Sequence, residues 1–381
     1  MDYEQLKFIW WLLIGMLLIG LVLVEGLDQG ARVLMPILAR HVREPLRRDR
    51  AIASPQSVYL LWLAAIGCTL SLVWPRLGLM PCLGVGLIAL LSLLRRYGLQ
   101  LNRPAGNAWA WTGLVSGLLP ALLIGVMLGN LFLGLPFSSC GQAGCHYHGA
   151  LSGLFEPFAV LVGGVCLSML SQLGAAWVML HGDGAVRWRA RQVTWVAGSM
   201  FLASFLGAVL WLGAGSHGYS LSAVTLPGVL CSPSNGVVLP GNVGWQANYR
   251  AWPWAWLAPL FAITGAVLAL FAAWQSRAGL ALLGGGMATC ATLSSAGFAL
   301  FPFIVPSNLQ LSASLTAWDA MGSEKTLGMM LIVASVLVPM LLAYTVYSLL
   351  KGWDLFIEPR SAAHSSWHRD TRMVRRHLAL R

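Results

Sequence analysis

The chain is a succession of long apolar runs separated by short polar stretches. Few of these runs show the alternation of a half-buried strand or the narrow stripe of a surface helix. They are apolar almost all round, which in water would be self-defeating and in lipid is required. A run of about 20 residues is needed to cross a hydrocarbon core of roughly 30 Å. Read this way, the sequence predicts about nine spans: residues 8–27, 57–74, 78–94, 112–136, 154–180, 193–214, 254–274, 279–304 and 327–350. The second and third are separated only by a tight turn around Pro75 and Arg76, and so form a helical hairpin. The expected fold class is all-α, a polytopic membrane bundle over residues 1–350 followed by a basic tail, 351–381. No cleavable signal is expected, since the first residues, MDYEQLKFIWW, are acidic rather than basic.

Composition agrees. Of 381 residues 57% are hydrophobic and only 10% charged, where a soluble domain carries about 25% charge. The net charge of +11 does not indicate nucleic acid, because its arginines sit between spans: Arg40, Arg43, Arg47, Arg48 and Arg50, then Arg95, Arg96 and Arg103, then Arg187, Arg189 and Arg191, and finally the tail. Placing the tail in the cytoplasm puts the loops 28–56, 95–111, 181–192 and 275–278 inside. The outer loops 137–153, 215–253 and 305–326 then hold only Arg250 and Lys325. This is the positive-inside pattern, with the N-terminus outside.

Candidate chemistry is sparse. Every histidine falls in a loop or the tail, which removes the usual helix-borne haem ligand; neither a phosphate-cradling loop nor a metal set is expected. Cys140, Cys145 and Cys231 lie in loops on the oxidising side, where a disulfide with open connectivity is expected. The most unusual residues are Glu25 and Asp28, at the end of the first apolar run. Three apart, they share a helix face. Two readings stand side by side: pairing with a basic residue at the helix end, or proton handling, for which carboxylates inside a membrane are suited. Asp319 is expected to cap the last helix, at the close of a polar loop returning to Trp318.

Several ordered segments carry a resemblance. MDYEQLKFIWWLLIGMLLIG, LIGVMLGNLFLGLPF, FPFIVPS…SASLTAWDA and VPMLLAYTVYSLLKGWD, with FEPFAVLVGGVCLSML more faintly, resemble subunit II of the cytochrome bd quinol oxidases. The resemblance runs from the first span to the last. It implies a heterodimer with a haem-bearing subunit I that holds haem b and haem d, oxidises quinol and reduces O₂ to water in the bacterial cytoplasmic membrane. Subunit II itself carries no haem, supports its partner, and in some members holds a structural quinone and part of a proton path. Membrane lipid, quinone and a small single-span accessory subunit are the other partners to consider; nucleic acid is not among them.

The family resembles DGFDMG where this chain reads EGLDQG, so Glu25 and Asp28 take the positions implied to admit protons. Ser57, Trp62, Arg95, Arg96, Trp318 and Asp319 are candidates carried over with them, Ser57 for the proton path and the others for quinone or partner contact. The second span departs from the family. Where PHWDGNEVWL is usual, this chain has SPQSVYLLWL, with Ser57 and Leu60 in place of acid or polar residues, and Gln100 stands where another acid is usual. Ser57 can hydrogen-bond water but cannot titrate near neutral pH. Two competing readings follow: an assembly subunit that has lost proton conduction, and a secondary transporter. Transporters tend to show internal repeats and broken spans; no repeat is evident, and the prolines are read as lying near span ends.

Overall fold

In the computed structural model, residues 3–29, 34, 56–77, 84–86, 88–90, 107–141, 144–149, 151–182, 184–214, 218–222, 237–240, 244–318 and 320–357 are described. They form eight long helices: α1 (Tyr3–Gln29), α2 (Gln56–Val73), α3 (Asn107–Leu133), α4 (Pro157–His181), α5 (Gly184–Ala214), α6 (Leu257–Trp274), α7 (Ala278–Leu300) and α8 (Glu324–Ile357). Each matches one expected span. The remaining one, residues 78–94, lies mostly outside the described residues, with helix at 84–86 and 88–90. Six of these helices are long and apolar enough to cross a membrane, and α2 and the second half of α3 form shorter apolar helices.

α4 is the central helix, packed against α1, α3, α5 and α7, while α6 and α7 form the closest pair. That pair is made possible by glycine. A methyl on Gly284 would lie 2.6 Å from the Ala269 nitrogen, and one on Gly265 would lie 2.7 Å from the Ala288 nitrogen, so the two backbones touch where side chains would otherwise separate them. α8 packs mainly on α1 and α2 and leaves most of its surface uncovered, including Ile332, Val336 and Met340.

Four expectations are corrected. The arginines at 187, 189 and 191 are not in a loop: α5 begins at Gly184 and carries them on its first turns, a reach beyond the hydrocarbon that a polar helix end permits. Pro120 and Pro339 lie inside α3 and α8 rather than at span ends, which membrane helices tolerate when neighbours re-satisfy the freed carbonyls. The last helix starts at Glu324, and Ser323 takes the capping place foreseen for Asp319, its hydroxyl 2.8 Å from Thr326 Oγ1 and 3.4 Å from the Thr326 amide. α8 also continues to Ile357, past the expected start of the tail at 351.

The connections hold a little β structure that the all-α expectation lacked. Phe137–Gly141 (β1) pairs antiparallel with Gly144–Tyr147 (β2), Tyr219–Ser222 (β3) with Val237–Pro240 (β4), and Phe303–Val305 (β5) with Leu315–Thr316 (β6). These short pairs satisfy backbone groups where the chain turns between helices.

Candidate functional site

The last two turns of α1 hold three polar residues that are buried among the described residues. Glu25 is 1% exposed, and Asp28 and Gln29 are 0% exposed. Two helical stripes account for this. Leu17, Leu21 and Val24 belong to the cluster that packs on Val58, Tyr59 and Trp62 of α2, and helical periodicity continues that stripe to Asp28. Val22, Gly26 and Gln29 follow the adjacent stripe, which meets α4: a methyl on Gly26 would lie 2.7 Å from Leu173 Cδ2. Glycine at 26 therefore draws α1 down onto α4 and carries Glu25 and Asp28 inside with it. Both carboxylates have polar or charged interactions within the protein.

The opposite end of α1 is pinned to the segment that leads into α8. Lys7, 7% exposed, donates to the Trp318 carbonyl at 2.7 Å and lies 4.2 Å from the centre of the Tyr3 ring. The Tyr3 hydroxyl donates to the Gly322 carbonyl at 2.7 Å, and Trp10 Nε1 to that of Leu327 at 3.1 Å. Lys7 and Gln29 were not singled out in the sequence. For Lys7 the signal was the same as for Glu25, a polar side chain within an apolar helix.

The other candidates are scattered. Trp62 is 2% exposed, and its Nε1 donates to Thr345 Oγ1 of α8 at 3.0 Å, so the indole joins two helices of this chain. Trp318 packs edge-on against Phe301 at 6.3 Å, near Lys7 and about 20 Å along α1 from the level of Gly20 and Trp62. Ser57 is in the first turn of α2. Arg95, Arg96, Asp319 and Cys231 lie outside the described residues. Cys140 and Cys145 fall on β1 and β2, each one residue outward from the paired Gly141 and Gly144.

A cavity of about 140 Å³ opens between α3, α4, α5 and α7. Its walls are mostly apolar, including Phe132, Val162, Phe205 and Trp245, with Gln246, Tyr249, Thr292 and Ser295 among its polar members. The Tyr249 hydroxyl lies 2.8 Å from both the carbonyl and the hydroxyl oxygen of Ser295, and burial pushes this phenol above its ordinary value. Elsewhere, Arg187 donates to the Ser276 carbonyl at 2.8 Å and Arg191 to that of Trp274 at 2.8 Å, closing the last turn of α6 with cationic donors.

Residues 6–351 match the family described as cytochrome bd terminal oxidase subunit II. The chain belongs to that family. It is 31% identical over 368 residues to the cytochrome bd-I ubiquinol oxidase subunit 2 of Escherichia coli (strain K12), covering 93% of this chain and 95% of that one. It is 32% identical over 356 residues to a probable cytochrome oxidase subunit 2 of Haemophilus influenzae, covering 91% and 94%. Its fold resembles a chain of the bd oxidase from Geobacillus thermodenitrificans, with a TM-score of 0.65 at 16% identity over 93% of this chain and all of that one. As a cytochrome bd subunit II it is a multi-pass protein of the bacterial cytoplasmic membrane.

Proposed function

We infer that this chain is the haem-free half of a quinol:O₂ oxidoreductase, and that Glu25 and Asp28 form an inlet for protons consumed at the partner's haem site. One observation carries the inlet reading: two carboxylates, 1% and 0% exposed, share a face at the end of a membrane-length helix. Such groups are costly in a membrane and are characteristically found on proton routes. Reduction of O₂ to water consumes protons, and this end of α1 supplies groups that can take them up and pass them on.

The topology fits a cytoplasmic inlet. Gly26 packs against Leu170 and Leu173 of α4, and α4 runs from there to His181, beyond which α5 opens with Arg187, Arg189 and Arg191. The acids thus lie at the arginine-rich end of the bundle, which the positive-inside rule assigns to the cytoplasm. The N-terminus is then periplasmic and the C-terminus cytoplasmic. For the haem-bearing partner, α8 offers the least covered long helix, with Tyr344 and Tyr347 among its exposed aliphatic residues. The cavity beside Tyr249 suits a structural quinone by its headgroup only. At about 140 Å³ it matches a single ring, close to the ~150 Å³ that admits benzene, so an isoprenoid tail must extend between helices. Gln246 and Tyr249 would hold the ring oxygens.

The test is Asp28→Asn and Glu25→Gln in the assembled complex, with quinol-driven oxygen uptake measured beside the haem spectrum. The inlet reading expects a fall in uptake of about tenfold or more with the spectrum intact. Unchanged uptake in both variants would sink it and leave an assembly subunit without proton conduction.

A further inference from the structure

Gln29 ends α1 with a side chain that is 0% exposed, yet neither its amide nitrogen nor its amide oxygen has a hydrogen-bond partner among the described residues. Buried amides are rarely left so: where the surroundings are polar, ordered water is the usual partner. The helix itself sets one polar neighbour beside it. Gln29 follows Asp28 directly and lies four residues after Glu25, so its amide shares a helix face with the Glu25 carboxylate. A primary amide offers two donors and an acceptor, enough to hold a water molecule against a neighbouring carboxylate.

We propose that Gln29 fixes an ordered water between its amide and the carboxylates of Glu25 and Asp28, and that this water is a link in the proton inlet. The amide N–H donates to the water oxygen, and one water O–H donates to a carboxylate oxygen. When a proton arrives at the water oxygen, the O–H bond facing the carboxylate breaks and its proton passes on. The water is regenerated, the carboxylate becomes a carboxylic acid, and no electron moves. Gln29 itself neither gains nor loses a proton. It is a positioning residue, acting through the water that it holds. This proposal rests on the inlet reading above and adds to it a residue that does not titrate.

The test uses the whole complex carrying Gln29→Met, Gln29→Asn or Glu25→Gln. Methionine keeps the length of glutamine without its donors, and asparagine keeps the amide on a shorter stem. The reduced complex is mixed with oxygen in unbuffered solution, and proton uptake is followed with an indicator dye beside the quinol KM and the haem spectrum. Gln29→Met should slow uptake about fivefold, the loss expected for one relay hydrogen bond, with KM and spectrum unchanged, and Gln29→Asn should recover part of the rate. Native-speed uptake in Gln29→Met while Glu25→Gln is slow overturns the water link and leaves the carboxylate inlet standing. Native-speed uptake in all three overturns both. Should Gln29→Met fail to assemble, a map of the unaltered complex that resolves ordered water decides. A water bonded both to the Gln29 amide and to Glu25 or Asp28 is expected, and a side chain of the haem-bearing subunit bonded to that amide instead overturns the proposal.

Discussion

Gly15 and Gly20 stand on the same helix, and the structure gives them opposite responses to one methyl group. Nothing lies within 4 Å of a methyl on Gly15, whereas one on Gly20 would overlap the Trp62 ring, with Cζ2 at 3.0 Å and Cζ3 and Cη2 closer still. Carbon atoms rest at about 3.5–4.0 Å, so the ring would have to retreat by more than about 1 Å. It is poorly free to do so. The indole is buried and tied to Thr345 of α8, and moving it loosens the hydrogen bond that joins α2 to α8. Overpacking costs about 1–3 kcal/mol and the lost bond about 1 kcal/mol, against a helix-propensity gain from alanine of up to about 1 kcal/mol. The net loss for Gly20→Ala is about 1–3 kcal/mol, while Gly15→Ala keeps only the gain. Irreversible thermal inactivation of the purified complex is a suitable readout, with midpoints expected to differ by several degrees between the two variants. In a Trp62→Leu background the overlap is gone, so the Gly20→Ala penalty should shrink sharply, the non-additivity of residues in contact. Equal midpoints for the two alanine variants, or full additivity with Trp62→Leu, would refute the packing described for α1, α2 and α8.

Other expectations follow from the same geometry. Gly284→Ala should destabilise the complex far more than Gly286→Ala, because its methyl meets the backbone of Ala269 and Gly265 while nothing lies within 4 Å at Gly286; thermal midpoints decide. Arg191→Ala should cost less than about 1 kcal/mol, since its donors to Trp274 and Ser276 are exposed, and a large loss would mean that the clamp organises more than the end of α6. The Tyr249 phenol, raised by burial, stabilises the fold fully below the unfolded value of about 10 and less as pH rises through the folded value. Tyr249→Phe should therefore flatten the alkaline fall in stability.

The helices were legible because a run that must be apolar on every side leaves no other solution in lipid. Eight of the expected spans return as helices near their predicted ends, apart from α5, whose arginine-bearing start reads as a loop by hydropathy alone, and α8, which runs on to Ile357. The short β pairs were not legible, since strands of two to five residues at helix ends carry no periodicity. At the site, Glu25 and Asp28 stood out as acids in an apolar run. Their full burial did not, because it depends on Gly26 meeting Leu173, a contact between residues far apart in sequence. Trp62 shows the same limit: its partner Thr345 lies 283 residues away, so an aromatic marked for quinone or partner contact by resemblance is placed as a tie between helices. Gln29 was invisible for a different reason. A glutamine at a helix end is ordinarily solvated, and only its burial without a partner among the described residues makes it informative.

The central claim is that this chain works as the haem-free half of a haem-bearing oxidase. The most direct test is to tag the chain in its own host, purify it in mild detergent, and record a reduced-minus-oxidised spectrum of whatever accompanies it. A large partner subunit with the far-red band of haem d, its haem content assigned wholly to that partner once the subunits are separated, is the predicted result. A colourless preparation of this chain alone, from membranes that do contain haem d, would contradict it.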